Sequence, residues 1–385
     1  MTEHQSPIKS FPLLPFSKLV YDSMRWFKGI YWLGATVRIH QGAQEIEQWR
    51  KALESALCNH PVFSSYVDCH GRQYAKSSVD ILRGKYHRFS LRIDRDDILI
   101  EVHLSRILGD EKSIEVLIED VLRAYQGISL EQDDYWGYLE YVEQQKQSQH
   151  YAESKACLES EFSDESIPVR PTLDRHLWTL FPPKAGLLKA DYADLRDKIN
   201  HLAGTEFLSI DGFFSLCAAL AIAEYCGTES AALTWAYEGR ERPEEQRIFG
   251  SLHRDIPFQI KNLQSPISNL KSDLIREARN QIRSGIAHSD YPYTLTKPYT
   301  ERWNYAVNVL RAGDEDAFQM QLPENVEFLP MSPLKYAYAL LDVEIHEHID
   351  SIQLWFRYSA THYKEESIKK FAALVRKYAE WLLEE

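Results

Sequence analysis

Between Ile98 and Tyr125 the chain switches its apolar period once, and that switch constrains the fold more than any other feature. Ile98-Leu99-Ile100-Glu101-Val102-His103-Leu104 reads as an extended strand. A short loop follows, Ser105-Arg106-Ile107-Leu108-Gly109-Asp110-Glu111-Lys112-Ser113. Ile114, Leu117, Ile118, Val121, Leu122 and Tyr125 then recur at the spacing of one helix face, with Ser113 as the expected cap. A strand feeding directly into an amphipathic helix needs a sheet and helices packed over it, so the expected class is α+β.

The composition permits a large core. Of 385 residues, 44% are hydrophobic and 26% charged, which is ordinary for a globular chain, and the length points to two or three domains. Twelve per cent aromatic content, with 9 Trp and 22 Tyr, argues against disorder. A formal charge of −13, with no basic arm, points away from nucleic acid. No run of 18 apolar residues reads as a membrane span, and the N-terminus lacks the layout of a signal peptide. The five cysteines (Cys58, Cys69, Cys157, Cys217 and Cys226) are odd in number and show no metal spacing, so a reducing cytoplasm is the expected location. His346 and His348 share one strand face, as metal ligands can, but no third ligand stands near them and no metal site is expected.

Elements of the same two kinds recur along the chain. In the first half, strands are expected at Trp32–Ile39, Phe63–Tyr66, Tyr74–Lys76 and Tyr86–Ile93, with helices at Ala43–Cys58 and over most of Tyr135–Glu161. Ser163–Thr172 carries two prolines and no periodicity and is the expected linker, between lobes at 1–165 and 173–385. In the second half, strands are expected at Leu177–Leu180, Ala231–Tyr237, Ile256–Ile260, Trp303–Leu310, Tyr336–Ile345 and Ile352–Tyr358. Helices are expected at Asp191–Leu202, Ile210–Cys226, Ile267–Arg283 and Glu366–Glu384. Ile210–Cys226 is apolar all round, hence buried, and Gly227 ends it. No glycine-rich phosphate loop and no Gly-x-Ser-x-Gly elbow occurs.

Several short motifs follow one another in a telling order. They are Ser23-Met24-Arg25-Trp26-Phe27, Asn59-His60-Pro61, the loop from Ser105 to Ser113, and Tyr135-Trp136-Gly137-Tyr138. After them come Gly239-Arg240-Glu241-Arg242-Pro243-Glu244, Phe249 to Pro257, and His288-Ser289-Asp290-Tyr291-Pro292-Tyr293. The set resembles the motifs of nonribosomal peptide synthetase condensation domains over nearly the whole chain, from Tyr21 onward. The resemblance implies two chloramphenicol-acetyltransferase-like lobes in a V, with a central tunnel. It also implies that the phosphopantetheine arms of peptidyl or acyl carrier proteins bring the substrates, with no bound cofactor. The 385 residues hold no adenylation, carrier or thioesterase segment, as expected of a free-standing protein.

The departures are chemical. Against the family pattern His-His-x-x-x-Asp-Gly-x-Ser, Asp110 and Ser113 match, Ser105 and Arg106 stand at the two histidines, and Glu111 stands at the glycine. A guanidinium keeps its proton under any condition in which proteins fold, so an arginine is no general base. Arg254-Asp255 replaces the family's Asn-Thr pair, and the Arg-Asp-x-Ser-Arg-Asn-Pro motif is absent. Arg106 at the second histidine together with the acid Glu111 at the glycine also resembles the X domains of glycopeptide synthetases, which recruit oxygenases and do not condense.

These departures leave two functional readings. In one, the chain binds a carrier-linked intermediate or recruits a partner, a tailoring enzyme or a synthetase module, without standard condensation. In the other, it is an acyltransferase that makes an amide or ester from a carrier thioester, with His253 as surrogate base. Arg106 is either an anion binder or an ion-pair member. The resemblance makes Asp110 a structural residue, with Arg240 or Arg242 as its partner. Arg106, Glu111, Arg254 and Asp255 are expected to form a balanced ion-pair network. His103 alternates away from Arg106 and is expected to be satisfied or partly exposed. Cys69 and His70 imitate a nucleophile pair, but neighbours on a turn are expected to face apart. Arg276, Arg279 and Arg283 lie on one helix face, either solvated or a docking stripe for an acidic carrier protein, and the same choice applies to Lys369, Lys370, Arg376 and Lys377.

Overall fold

Among the described residues, thirteen strands pair into two smaller sheets and one large one. The computed structural model describes residues 10–24, 31–76, 80–176, 183–261, 270–296, 303, 306–311, 322–329, 337, 339–348 and 350–384. The strand expected at Leu177–Leu180 and the motif residues Arg25, Trp26 and Phe27 lie outside them.

In chain order the elements are β1 (Ser10–Pro12), α1 (Pro15–Met24), β2 (Trp32–Ile39), α2 (Ile46–Asn59), β3 (Ser65–Val67) and β4 (Arg72–Ala75). Then come β5 (His87–Asp94), β6 (Asp97–Ser105), α3 (Glu111–Tyr125), α4 (Tyr135–Gln145), α5 (Gln149–Glu161), β7 (Ala185–Asp191), α6 (Arg196–Glu206) and α7 (Ile210–Cys226). The rest are β8 (Ala231–Tyr237), β9 (Arg254–Ile260), α8 (Leu270–Ala287), β10 (Val307–Arg311), β11 (Val326–Leu329), β12 (Leu341–Glu347), β13 (Ile352–Ser359) and α9 (Glu365–Leu383).

Compactness divides the chain differently from the contiguous lobes expected at 1–165 and 173–385. Unit 1 comprises Met1–Gln145, Glu238–His253 and Glu315–Pro333, and unit 2 comprises Lys146–Tyr237, Arg254–Asp314 and Leu334–Glu385.

Unit 1 holds an antiparallel sheet in the order β11-β2-β6-β5 and a smaller one in the order β1-β4-β3. The alternation of β2 is literal: Leu33, Ala35, Val37 and Ile39 are buried, and the residues between them are half-exposed. β6 lies between β2 and β5, with Leu104 opposite Leu33 on one side and His87 on the other. α2 and α3 pack on each other. The cap of α3 is Asp110 rather than Ser113: the Asp110 side chain accepts from the Ser113 backbone N–H, and the Ser113 hydroxyl accepts from the Asp110 backbone N–H. Two competent capping residues stand three apart, and the structure uses the pair reciprocally.

Unit 2 holds a mixed sheet in the order β7-β13-β12-β10-β8-β9. Its centre, β10, runs parallel to both β12 and β8. One face is apolar, with Leu233, Val307, Val309, Val343, Ile345, Leu354 and Phe356 packed in one core with α7 and α9. α7 is buried on every side because it has no polar side, and it is capped by the Ser209 side chain and ended by left-handed Gly227. The opposite face carries Thr234, Asn308, Asp342, Glu344, Trp355 and Arg357. There the Arg357 guanidinium grips the Glu344 carboxylate at 2.6 and 3.0 Å.

The expected linker is built into unit 2. The Pro168 carbonyl accepts from Ala232 N at 2.8 Å, the Val169 carbonyl accepts from Val307 N at 2.9 Å, and Ile167 and Val169 are buried. Prolines lack a donor but keep an acceptor, so such a segment can still dock on a sheet.

Candidate functional site

The loop between β6 and α3 is positioned from both ends. Upstream, Ser105 N donates to the Tyr86 carbonyl and Arg106 N donates to the Tyr31 carbonyl, which extends the sheet by one residue on each side of β6. The Leu108 N–H then turns back to the Ser105 carbonyl at 2.9 Å. Gly109 is required by space: a Cβ there would come within 2.8 Å of the Phe249 ring and 2.9 Å of Leu104. Downstream, the reciprocal Asp110–Ser113 bonds start the helix.

Asp110 is the fixed point of this loop. Its carboxylate accepts two parallel bonds from the Arg240 guanidinium, both 2.8 Å, and one from Leu252 N at 2.9 Å. The Ser113 hydroxyl donates to it at 2.8 Å. Arg240 also donates to the Gly250 carbonyl at 3.1 Å. Both charged side chains are almost wholly buried. Burial alone would raise the Asp110 carboxyl, but the facing Arg240 and the Ser113 bonds hold it below the ordinary carboxylate value. Of the two partners expected for Asp110, the structure selects Arg240. Arg242 instead pairs with Glu245 at 2.8 Å and lies 3.7 Å over the Tyr141 ring.

A few residues upstream the geometry is looser. The Arg106 side chain is 6% exposed and pairs with the Glu111 carboxylate, whose side chain is 46% exposed. Its guanidinium lies 5.9 Å from the centre of the Phe16 ring on α1. The same ring contacts half-buried His253, with centroids 4.0 Å apart. Phe16 is therefore a platform shared by the residue at the base position and by the candidate surrogate base. Nothing in the sequence marked Phe16, because it lies about ninety positions upstream in a plain apolar stretch. Ser105 is buried, and its hydroxyl faces Met24 Sδ at 3.6 Å.

A second buried set stands behind the loop. His60 Nδ1 lies 2.9 Å from Asp133, and its Nε2 lies 3.3 Å from Asp120 in an ion pair without hydrogen-bond alignment. Asp120 also pairs with Arg247, and Asp133 accepts from Phe249 N at 2.9 Å. Burial alone would depress the imidazole, but the two aspartates outweigh it and hold it above the ordinary histidine value. His60 was marked by its motif; Asp120 and Asp133 carried no signal.

Other expected residues fall as follows. Arg254 donates to the Ser289 hydroxyl at 2.6 Å and pairs with Asp290 at 3.0 Å, and the Asp255 carbonyl accepts from Thr294. The four-member charge network thus has Arg106 and Glu111 joined in unit 1, while Arg254 in unit 2 meets Asp290. His103 is exposed. Cys69 and His70 do face each other, with Sγ 3.3 Å from Nδ1 on an exposed turn, because the Asp68 carboxylate accepts from the backbone of His70 and Arg72 and curls the turn. In the basic stripe, Arg276 pairs with Asp273 and Arg279 with Glu206, while Arg283 is exposed. On α9, Lys369, Arg376 and Lys377 each pair with an acid. His346 stacks on Trp355 at 3.9 Å. Among the described residues no group of three or more candidate ligands can hold a metal ion, and no single helix is long and apolar enough to cross a membrane.

Comparison with known proteins agrees with this geometry. A search of curated proteins returned no match. Solved structures did match: the epimerization domain from the third module of tyrocidine synthetase B has a TM-score of 0.76 at 15% identity, covering 99% of each chain. The X-domain from teicoplanin biosynthesis has a TM-score of 0.79 at 14% identity, covering 96% of this chain and 94% of that one. The condensation domain of the monacolin K polyketide synthase has a TM-score of 0.77 at 12% identity, covering 98% of each. Identities this low speak to the fold, which is the chloramphenicol-acetyltransferase-like one expected. The model of the condensation domain matches residues 85–384, and on that span the chain belongs to the condensation-domain family.

Proposed function

We propose that this protein serves nonribosomal peptide assembly by binding a carrier-linked intermediate, or by recruiting a partner to one, without standard condensation. The observation that carries this reading is the contrast within one loop. The Asp110–Arg240 anchor that shapes the loop is intact, while the position of the base holds Arg106, already paired with Glu111. The scaffold for presenting a thioester is kept, and the proton acceptor is not. The test mixes the protein with an acyl-loaded carrier protein and an amine acceptor and follows product by mass spectrometry and binding by titration. Carrier binding without product supports the reading; amide or ester formation above background overturns it.

A second reading rests on His253. It shares the Phe16 platform with Arg106, so an acyltransferase could use it as base. If turnover is found, His253→Ala should lower its rate by about 10²–10⁴-fold. An unchanged rate would retire His253.

The carrier's place on the protein belongs to the same proposal. Reversing Arg276, Arg279 and Arg283 to Glu should weaken binding of an acidic carrier protein, and salt should weaken the wild-type complex. Since Arg276 and Arg279 already have acid partners, Arg283→Glu should account for most of the change. Equal affinities at low salt would return the stripe to a solvated face.

A further inference from the structure

We propose that Arg83, Arg88 and His103 form a docking row on unit 1 for the acidic face of a carrier protein. Such docking rests on the reading that a carrier-linked intermediate is bound, and it gives the carrier a surface besides the stripe on α8.

The row follows from strand register. Arg83 bridges to Arg88 of β5 in antiparallel fashion, and Arg88 stands opposite His103 of β6. Residues directly opposite in an antiparallel pair project from the same face of a sheet. The two arginines lie between the bond from Gly84 N to the His87 carbonyl, 3.0 Å, and the bond from Phe89 N to the Leu82 carbonyl, 2.8 Å. They are therefore a non-hydrogen-bonded pair, the kind whose Cα atoms approach to about 4.5 Å. All three residues of the row are exposed, and exposed Lys85 stands two positions after Arg83.

Like charges directly opposite one another destabilise a sheet. Nothing local cancels these. Among the described residues, neither Arg83 nor Arg88 has an acid partner. The acids of the neighbourhood are engaged elsewhere. Asp80 Oδ1 accepts from the backbone N–H groups of Leu82 and Arg83 at 3.0 and 3.2 Å. Glu101 accepts from the Ser90 hydroxyl at 2.7 Å and from Arg92 at 3.2 Å, and His103 acts on it through space. A chain of formal charge −13 thus keeps repelling cations in register on an exposed sheet face. An anionic surface laid over them would turn that repulsion into attraction.

The exposure of the row decides the size of the partner. A single small anion gains little here, because each exposed ion pair is worth little in water. A protein face with several carboxylates meets the whole row at once, and the carrier of the proposed reading is an acidic protein. On α8, by contrast, Arg276 and Arg279 already have acids.

The test titrates an acidic carrier protein, with its phosphopantetheine arm attached, into the full chain by calorimetry at low salt. Arg83→Glu creates an opposite-charge pair with Arg88, so it should raise the unfolding midpoint while it weakens carrier binding. Adding Arg88→Glu should cancel the gain in midpoint and weaken that binding component by about tenfold or more, whereas Arg283→Glu should leave the component unchanged. A merely structural role would move stability and binding together. Unchanged affinity in both row variants overturns the row and leaves the carrier reading standing. No carrier binding by the wild-type protein overturns the two together. A midpoint that Arg83→Glu fails to raise removes the repulsion that calls for an anionic partner, and overturns the row. An effect of the row variants that survives neutralising the carrier's carboxylates, but vanishes without its phosphopantetheine arm, makes the phosphate the ligand and overturns the acidic face.

Discussion

Arg240 and Arg106 each hold a carboxylate of the same nine-residue loop, and they do it in opposite ways. Arg240 meets Asp110 with both partners buried, in a bidentate geometry, with hydrogen bonds from Ser113 and Leu252 N completing the shell. Arg106 is equally buried but meets an acid that is half in water. A pair buried on both sides acts as a fastener: removing one member strands the other in a dry site. A pair buried on one side can come apart, because the departing acid is rehydrated. The loop therefore couples a permanent joint to a separable one a few residues apart.

The largest effect should come from breaking the joint. Arg240→Met removes the charge and keeps much of the volume, leaving Asp110 buried and unpaired, and should cost about 3–5 kcal/mol in denaturant unfolding. The double variant Arg240→Met with Asp110→Leu should recover a substantial part of that loss. Strict additivity would mean that the two do not act as a unit.

The His60 set gives an intermediate effect that depends on pH. Its folded pKa is raised above the unfolded value near 6.5, so the folded state binds the proton more tightly. The stabilisation from charged His60 is full below about pH 6.5 and is lost as pH rises through the raised folded value. Unfolding free energy should decline as pH rises through that window, and His60→Gln should flatten the decline. Equal slopes for the two proteins would show that the imidazole is not charged in the folded state.

The smallest effect sharpens the contrast most. Arg106→Met should cost clearly less than Arg240→Met, since the Glu111 left behind is already half in water. A loss as large as that of Arg240→Met would make the two arginines equivalent and erase the distinction.

How much of this was readable beforehand depends on the range of the interactions. β2, α7 and β8 have the bounds expected, since a clean alternation, or an apolar run between a serine cap and Gly227, is a local signal. β7 was missed because Ala185-Gly186-Leu187-Leu188-Lys189-Ala190 shows no alternation and leaves Leu187 exposed. The loop motif was legible because its residues are consecutive, and so was a partner for Asp110 in the Arg240–Arg242 motif, but the choice of Arg240 over Arg242 came from the structure. Phe16, Asp120 and Asp133 were not legible. Each matters through what it touches, and those contacts join residues tens of positions apart that look ordinary where they stand. The Cys69–His70 contact failed for the opposite reason: a general rule about neighbours on turns yielded to the particular curl that Asp68 imposes.

Unit 1 borrows two segments from far down the chain, and this sets a timetable for its assembly. β2 is synthesised early, yet its outer partner β11 arrives only at Val326–Leu329, so Ile39 waits for Val326. Asp110 likewise emerges long before Arg240. During synthesis the nascent first unit therefore holds an open sheet edge and a loop carboxylate with no counter-ion, while most of the second unit is still being made. Contacts at such separation close slowly, since the intervening chain must be ordered first. A fragment that stops at residue 165, where the two halves look divisible, would carry Asp110 to a place made for Arg240 and find it empty.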